Sequence, residues 1–154
     1  MNSAIQKAWS TALERFFCPD TDLFYEFVYD DTSKAWNELP TLENIADAYP
    51  NPCGWGTGME DSVMNTSTAL DTLVCAERLG RGSDVKGLAD RFFDGLMRCT
   101  ASEKNKGFVA RSVSPIDGKS HYIESSRDQY THLVYSFLSF YFSPLSSPDR
   151  KDSV

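Results

Sequence analysis

Apolar residues recur at helical spacing in four separate stretches of the chain. Ile5, Trp9, Ala12, Leu13 and Phe16 form one stripe and predict a helix from Ser3 to Phe17, stopped by Pro19. A second helix is expected from Gly58 to Leu79, with Val63, Leu70, Leu73 and Val74 inward and small Thr66, Ser67 and Ala69 allowing close helix contact. Thr57 and Glu60 match a capping box at its start; Arg78 and Gly80 suit its end. The clearest stripe, Val85, Leu88, Ala89, Phe92, Phe93, Leu96 and Met97, predicts a third helix from Asp84 to Thr100, capped by Ser83. Gly87 and Gly95 lie inside it and cost roughly 1 kcal/mol each if exposed, so packing is the expected reason for both. A fourth helix follows Ser125 or Ser126 and runs to Phe142. Its Tyr130, Leu133, Val134, Tyr135, Phe137, Leu138, Phe140 and Tyr141 leave little polar face, the pattern of a buried helix. Pro144 and Pro148 close it before a polar tail.

The connections are unequal. About forty residues separate the first two helices, far beyond an ordinary connector, and their Phe24, Tyr25, Phe27, Tyr29 and Trp36 are too aromatic for a disordered segment. Leu23 to Tyr29 reads as a short strand, and Thr41 to Asn44 as the start of a helical turn with Thr41 and Asn44 as rival caps. Gly107 to Val113 and Ser120 to Ile123 flank an Asp117-Gly118 turn and predict a β-hairpin. With helices alternating up and down, the second and fourth run parallel and share one end with the long loop and the hairpin. That topology gathers Trp55, Glu60, Asp61, Arg111, His121, Tyr122, Asp128 and Gln129 on one face.

Composition narrows the classes. A chain of 154 residues supports one domain with a real core. A formal charge of −7 and the lack of a basic stripe argue against a nucleic-acid partner. No apolar run approaches the roughly 20 residues of a membrane span. Met1 to Lys7 lead straight into the first helix without signal-peptide architecture, which fits a cytoplasmic chain and equally a trimmed one. Cys18, Cys53, Cys75 and Cys99 form no closely spaced pair, and His121 and His132 lack acidic ligand spacing, so no metal is expected. Cys75 and Cys99 fall in helical apolar patterns as core thiols; Cys18 and Cys53 flank the same loop and could bridge in an exported chain. No cofactor is expected either: the Gly54-Trp55-Gly56-Thr57-Gly58 run has no preceding strand and no lysine for a phosphate.

Prolines at 50 and 52 and glycines at 54, 56 and 58 specify a loop shape just before the acid pair Glu60-Asp61. The stretches Asn51 to Asp61 and His121 to Tyr130 resemble sugar-processing proteins of the six-hairpin (α/α)6 toroid type, akin to the unsaturated glucuronyl and rhamnogalacturonyl hydrolases of glycoside hydrolase families 88 and 105 and to related glucuronidases. The resemblance implies a mainly α fold of antiparallel helical hairpins, of which residues 1–145 would form only the N-terminal part, followed by the tail at 146–154. It implies an oligosaccharide substrate containing uronic acid, with Asp61 and Asp128 as acid/base groups. Trp55, Glu60, Arg111, His121, Tyr122 and Gln129 would shape the sugar site, and a second copy could cover the open edge of the incomplete ring.

Each candidate also has a plainer reading. Glu60 and Asp128 sit where acids stabilise helix starts. Trp55 serves equally as a sugar platform or as packing. Arg111 suits a uronate carboxylate or a loop acid such as Asp117. His132 fits a satisfied core residue. The rival function is a catalytically incomplete helical domain that binds a glycan or a protein; a weaker enzymatic alternative is a polysaccharide lyase using Tyr122 and His121.

Overall fold

The computed structural model describes residues 3–80, 85–101 and 106–153. Among them the chain is mainly helical: α1 (Ser3–Arg15), α2 (Leu42–Ala46), α3 (Ser62–Arg78), α4 (Val85–Thr100), α5 (Arg127–Tyr141) and α6 (Pro148–Lys151), with a small antiparallel pair, β1 (Phe17–Cys18) and β2 (Leu23–Phe24). The expected start of the third helix at Ser83 and Asp84 lies outside the described residues.

The core is organised by α4, whose neighbouring Phe92 and Phe93 face opposite ways. Phe92 meets Phe17 and Phe24 of the β-pair with ring centroids 5.1 and 5.3 Å apart, and Trp9 of α1 at 6.4 Å. Phe93 meets Phe137 and Phe140 of α5 at 5.1 and 5.2 Å. Val63, Leu70, Leu73 and Val74 of α3 are buried as expected, as are Thr66, Ser67 and Ala69. Gly95 lets the β1–β2 turn seat directly on α4: a Cβ there would fall 2.2 Å from the Asp22 carbonyl oxygen. Arg91, one turn earlier, pairs with the Asp22 carboxylate at 2.7 Å. Gly87 has nothing within 4 Å of an added Cβ, so packing explains only one of the two glycines.

Helices α3 and α5 run parallel. The Gln129 amide donates to Asp61 at 3.0 Å near their N-termini, and the Ser139 hydroxyl donates to Asp71 at 2.7 Å further along both. Helix α4 runs antiparallel to α3, because Ala110 N–H donates to the Cys99 carbonyl while Val63 N–H donates to the Arg111 carbonyl. The ends expected to meet therefore do meet.

Several local expectations give way. The 107–123 segment forms no β-ladder. Its backbone groups at Ala110 and Arg111 are engaged by the ends of α4 and α3, and one 2.7 Å bond from Ser114 N–H to the Ser120 carbonyl closes the turn. The strand expected over 23–29 is limited to Leu23–Phe24, paired with Phe17–Cys18. At α2, Thr41 is the cap and Asn44 completes its box. Helix α3 begins at Ser62, a turn later than expected, because Gly58 at φ +83° takes the chain out of helical geometry. Helix α1 buries no residue fully, and Ile5 is exposed. Helix α5 is not buried all round: Val134, Tyr135 and Leu138 face solvent. Cys75 is exposed rather than a core thiol, and all four cysteines, Cys18 and Cys53 included, are free. The tail folds as α6, held to α4 by Arg150, which pairs with Asp90 at 3.0 Å and with Asp94 and lies over the Phe93 ring.

Candidate functional site

The loop before α3 is wound around Asn51. Its side-chain oxygen accepts from Cys53 N–H and Trp55 N–H at 3.1 and 3.0 Å, and its amide donates to the Trp55 carbonyl at 3.1 Å. Gly54, at φ +72°, lies flat on the Tyr122 ring; a Cβ at this position would stand 2.4 Å from a ring carbon. The Tyr122 hydroxyl donates to the Tyr49 carbonyl at 2.6 Å, and Glu124 N–H donates to the Pro52 carbonyl at 3.2 Å. Burial pushes the Tyr122 phenol above its ordinary range. The second motif therefore buttresses the first, and Tyr122 is the buttress. The loop presents Trp55 60% exposed.

Beneath Trp55 lies a cluster assembled from four distant segments. Glu26 arrives from the extended run after β2, anchored where Tyr25 N–H donates to the Phe16 carbonyl at 2.9 Å. Its carboxyl accepts from the backbone N–H of Asp61, the N-cap position of α3. Glu60 does not cap the helix: its carboxylate accepts from Gly56 N–H and closes the glycine loop. Arg111, its side chain only 7% exposed, donates to the Glu60 carbonyl at 3.1 Å and stands 3.7 Å from the Asp61 carboxylate. Its guanidinium faces the Trp55 ring at 5.9 Å. Gln129, fully buried, donates to the same Glu60 carbonyl at 3.1 Å and to Asp61 at 3.0 Å. Two buried atoms of this cluster, Arg111 Nε and Gln129 Oε1, have no hydrogen-bond partner among the described residues. Unpartnered buried polar atoms are costly, and they concentrate where a ligand or water completes the set.

Burial pushes Glu26 up to about 8; the neighbouring Glu60 and Asp61 charges add to the rise, and the Asp61 N–H opposes it. This environment favours the protonated form of Glu26, the form that can donate. Asp61, its side chain 43% exposed, accepts from Gln129 and faces the Arg111 charge. A proton donor beside an oriented carboxylate is the pairing that acid–base chemistry on a glycosidic bond requires. Among the described residues no cluster of His, Cys, Asp and Glu is arranged to hold a metal.

The structure joins five of the expected residues, Trp55, Glu60, Asp61, Arg111 and Gln129, and buttresses them with Tyr122. It does not bond Asp128 or His121 to them. Asp128 is 63% exposed in the first turn of α5 and, among the described residues, pairs only with Arg127 at 3.8 Å. His121 engages the Lys119 carbonyl at 2.9 Å and packs on Phe108. Asp117 does not pair with Arg111; it caps its own turn through Lys119 and Ser120. His132 is half-buried at a groove with Asp71 and Tyr135 rather than inside the core. Glu26 is the residue missed by sequence reading, although an acid set between Phe24-Tyr25 and Phe27-Val28 is an isolated charge in an apolar run.

No protein-family model, curated protein or solved structure matches this chain.

Proposed function

We propose that the chain is an array of helical hairpins of the (α/α) toroid type that acts on oligosaccharides by carboxylate acid–base chemistry, with Glu26 as proton donor and Asp61 as the paired base or nucleophile. The observation that carries the reading is the half-buried Glu26 carboxyl bonded to the Asp61 N–H, beside an Asp61 carboxylate held by Gln129 and Arg111 near the exposed Trp55 ring. Glu26 gives its proton to the departing oxygen, or to the double bond of an unsaturated uronide, while Asp61 attacks or activates water. Gln129 and Arg111 position Asp61. Trp55 offers a face for a sugar ring. Arg111 is too enclosed to clamp a uronate directly, so the uronic-acid specificity rests on the resemblance of the two loop motifs, and Asp128 is left as a rim group.

The test is turnover of unsaturated glucuronyl disaccharides and of aryl glucuronides of both anomers. Glu26→Gln and Asp61→Asn are expected to lower kcat by about 10²–10⁴-fold each, the usual range for a positioned acid or base. Absence of turnover by the unmodified chain on this panel counts against the reading, and unchanged rates in both variants sink the assignment of residues.

The exposed face of α5 favours a second reading, association without catalysis. Val134, Tyr135 and Leu138 are at least half exposed, as is Phe142 just beyond the helix, and no Asp, Glu, Lys or Arg occurs between Gln129 and Pro148. Two copies that each carry a formal −7 repel over most of their surfaces, and this stretch, with no charge of its own and with Asp71 and Lys151 beside it, is where they can meet. A second copy is thus its occupant. Light scattering should give a dimer that Leu138→Glu dissociates; a monomer at all accessible concentrations removes this reading.

A further inference from the structure

A groove of about 390 Å³ runs between α1 and α3 and ends at Glu26. Its volume lies within the ~300–1,000 Å³ of small-molecule sites. Trp9, Ala12, Phe16, Phe24 and Ala69 supply its apolar lining. Trp9 is steadied by its edge-on contact with Phe92, so this part of the lining is formed before any ligand arrives.

The groove is poor in free polar groups. Thr68 and Thr72 line it, yet each donates its hydroxyl proton to the carbonyl four residues back in α3, at 2.8 Å in both cases. The Tyr25 hydroxyl is likewise engaged, donating to the Val113 carbonyl at 2.6 Å and meeting Thr21 at 3.0 Å. That leaves Asn65 and Glu26, both near the start of α3, as the polar groups of an otherwise apolar lining. A second sugar ring, with several hydroxyls around its edge, would enter such a channel at the cost of their hydration.

We infer that this groove is the leaving-group side of the Glu26 site and receives an aryl or other flat apolar aglycone. The inference rests on the proposed role of Glu26 as proton donor: a general acid stands beside the oxygen that departs, so the space on its far side from Asp61 belongs to the leaving group. The sugar lies towards Trp55 and Asp61, the aglycone towards Trp9 and Phe16.

The experiment compares binding of 4-nitrophenyl and methyl glucuronides, both anomers of each, by calorimetry. It uses the unmodified protein, Trp9→Ala, and Ala12→Trp as a variant that fills the groove without removing a core residue. The aryl glycoside is expected to bind about tenfold or more tightly than the methyl one, in the range that one apolar contact in a pocket provides. That preference should collapse in both variants while methyl glucuronide binding holds. Equal affinities for the two glycosides overturn the inference and leave the carbohydrate reading standing. A preference that survives both variants places the aryl group elsewhere and overturns it as well. Binding of neither glycoside removes this inference together with the reading beneath it.

Discussion

Replacing Glu26 by Gln keeps a side-chain oxygen for the Asp61 N–H and removes the titration. In the folded chain burial and the Glu60 and Asp61 charges raise the Glu26 carboxyl from 4.5 to about 8. Below pH 4.5 the folded and unfolded chains both hold this proton, and the group adds no pH dependence. Between 4.5 and about 8 the unfolded chain releases it while the folded chain retains it, so stability falls as pH rises; above about 8 the loss is complete. Each tenfold change in the acidity of a group corresponds to about 1.4 kcal/mol. Because the carboxyl keeps partial contact with solvent, the expected loss is discounted to about 1–2 kcal/mol. Glu26→Gln should therefore match the unmodified protein near pH 4.5 and exceed its stability by about 1–2 kcal/mol at pH 8.5. Urea unfolding followed by tryptophan fluorescence at pH 4.5, 6.5 and 8.5 measures this directly. A variant less stable at pH 8.5 than its parent would show an ionised Glu26 that holds the N-terminus of α3, and the case for a proton donor would fall.

Gly95→Ala pushes a methyl group against the Asp22 backbone, and overpacking of this kind should cost about 1–3 kcal/mol in a thermal melt; an unchanged Tm would mean the turn does not seat on α4. Asp61→Ala should cost more than Arg111→Met, about 3 against about 1–2 kcal/mol, because the first leaves a buried guanidinium without its carboxylate and the second leaves a half-exposed carboxylate. Equal losses in denaturant titrations would refute that asymmetry. Phe140→Ala removes a fully buried ring between α4 and α5 and should cost about 3–5 kcal/mol by the same titration; a loss under about 1 kcal/mol would show a core able to collapse around the gap.

The helices were legible because their signal is local. The stripe through Ala89, Phe92, Phe93 and Leu96 needs no partner to be read, and all four residues are buried. Even the gathering of Trp55, Glu60, Asp61, Arg111 and Gln129 followed from alternating helix directions. What failed depends on distant atoms. The Gly107–Val113 run looks like a strand, yet its hydrogen-bond partners are the ends of α3 and α4, which nothing inside the run reveals. Tyr122 reads as a polar ring near a sugar until the missing Cβ of Gly54 shows what its face is for. Asp61 and Asp128 both stand at helix starts, Asp61 as the cap of α3 and Asp128 inside the first turn of α5; only Asp61 has Gln129 and Arg111 turned towards it. Glu26 was hidden in an aromatic run, and its altered acidity arises from burial beside residues 60 and 61.

The seat that Gly95 offers to the β1–β2 turn is also a long-range closure of the chain. Asp22 and its partner Arg91 stand 69 residues apart in sequence, so docking the turn carries the entropy cost of closing a long loop. Glu26 follows four residues later along the same run, but separate anchors hold that stretch: Phe24 N–H on the Thr66 hydroxyl, Tyr25 N–H on the Phe16 carbonyl and the Tyr25 hydroxyl on the Val113 carbonyl. One short run is thus pinned at one end to α4 and at the other to α3 and the 107–123 segment, and it ties together parts of the chain that no local contact would join.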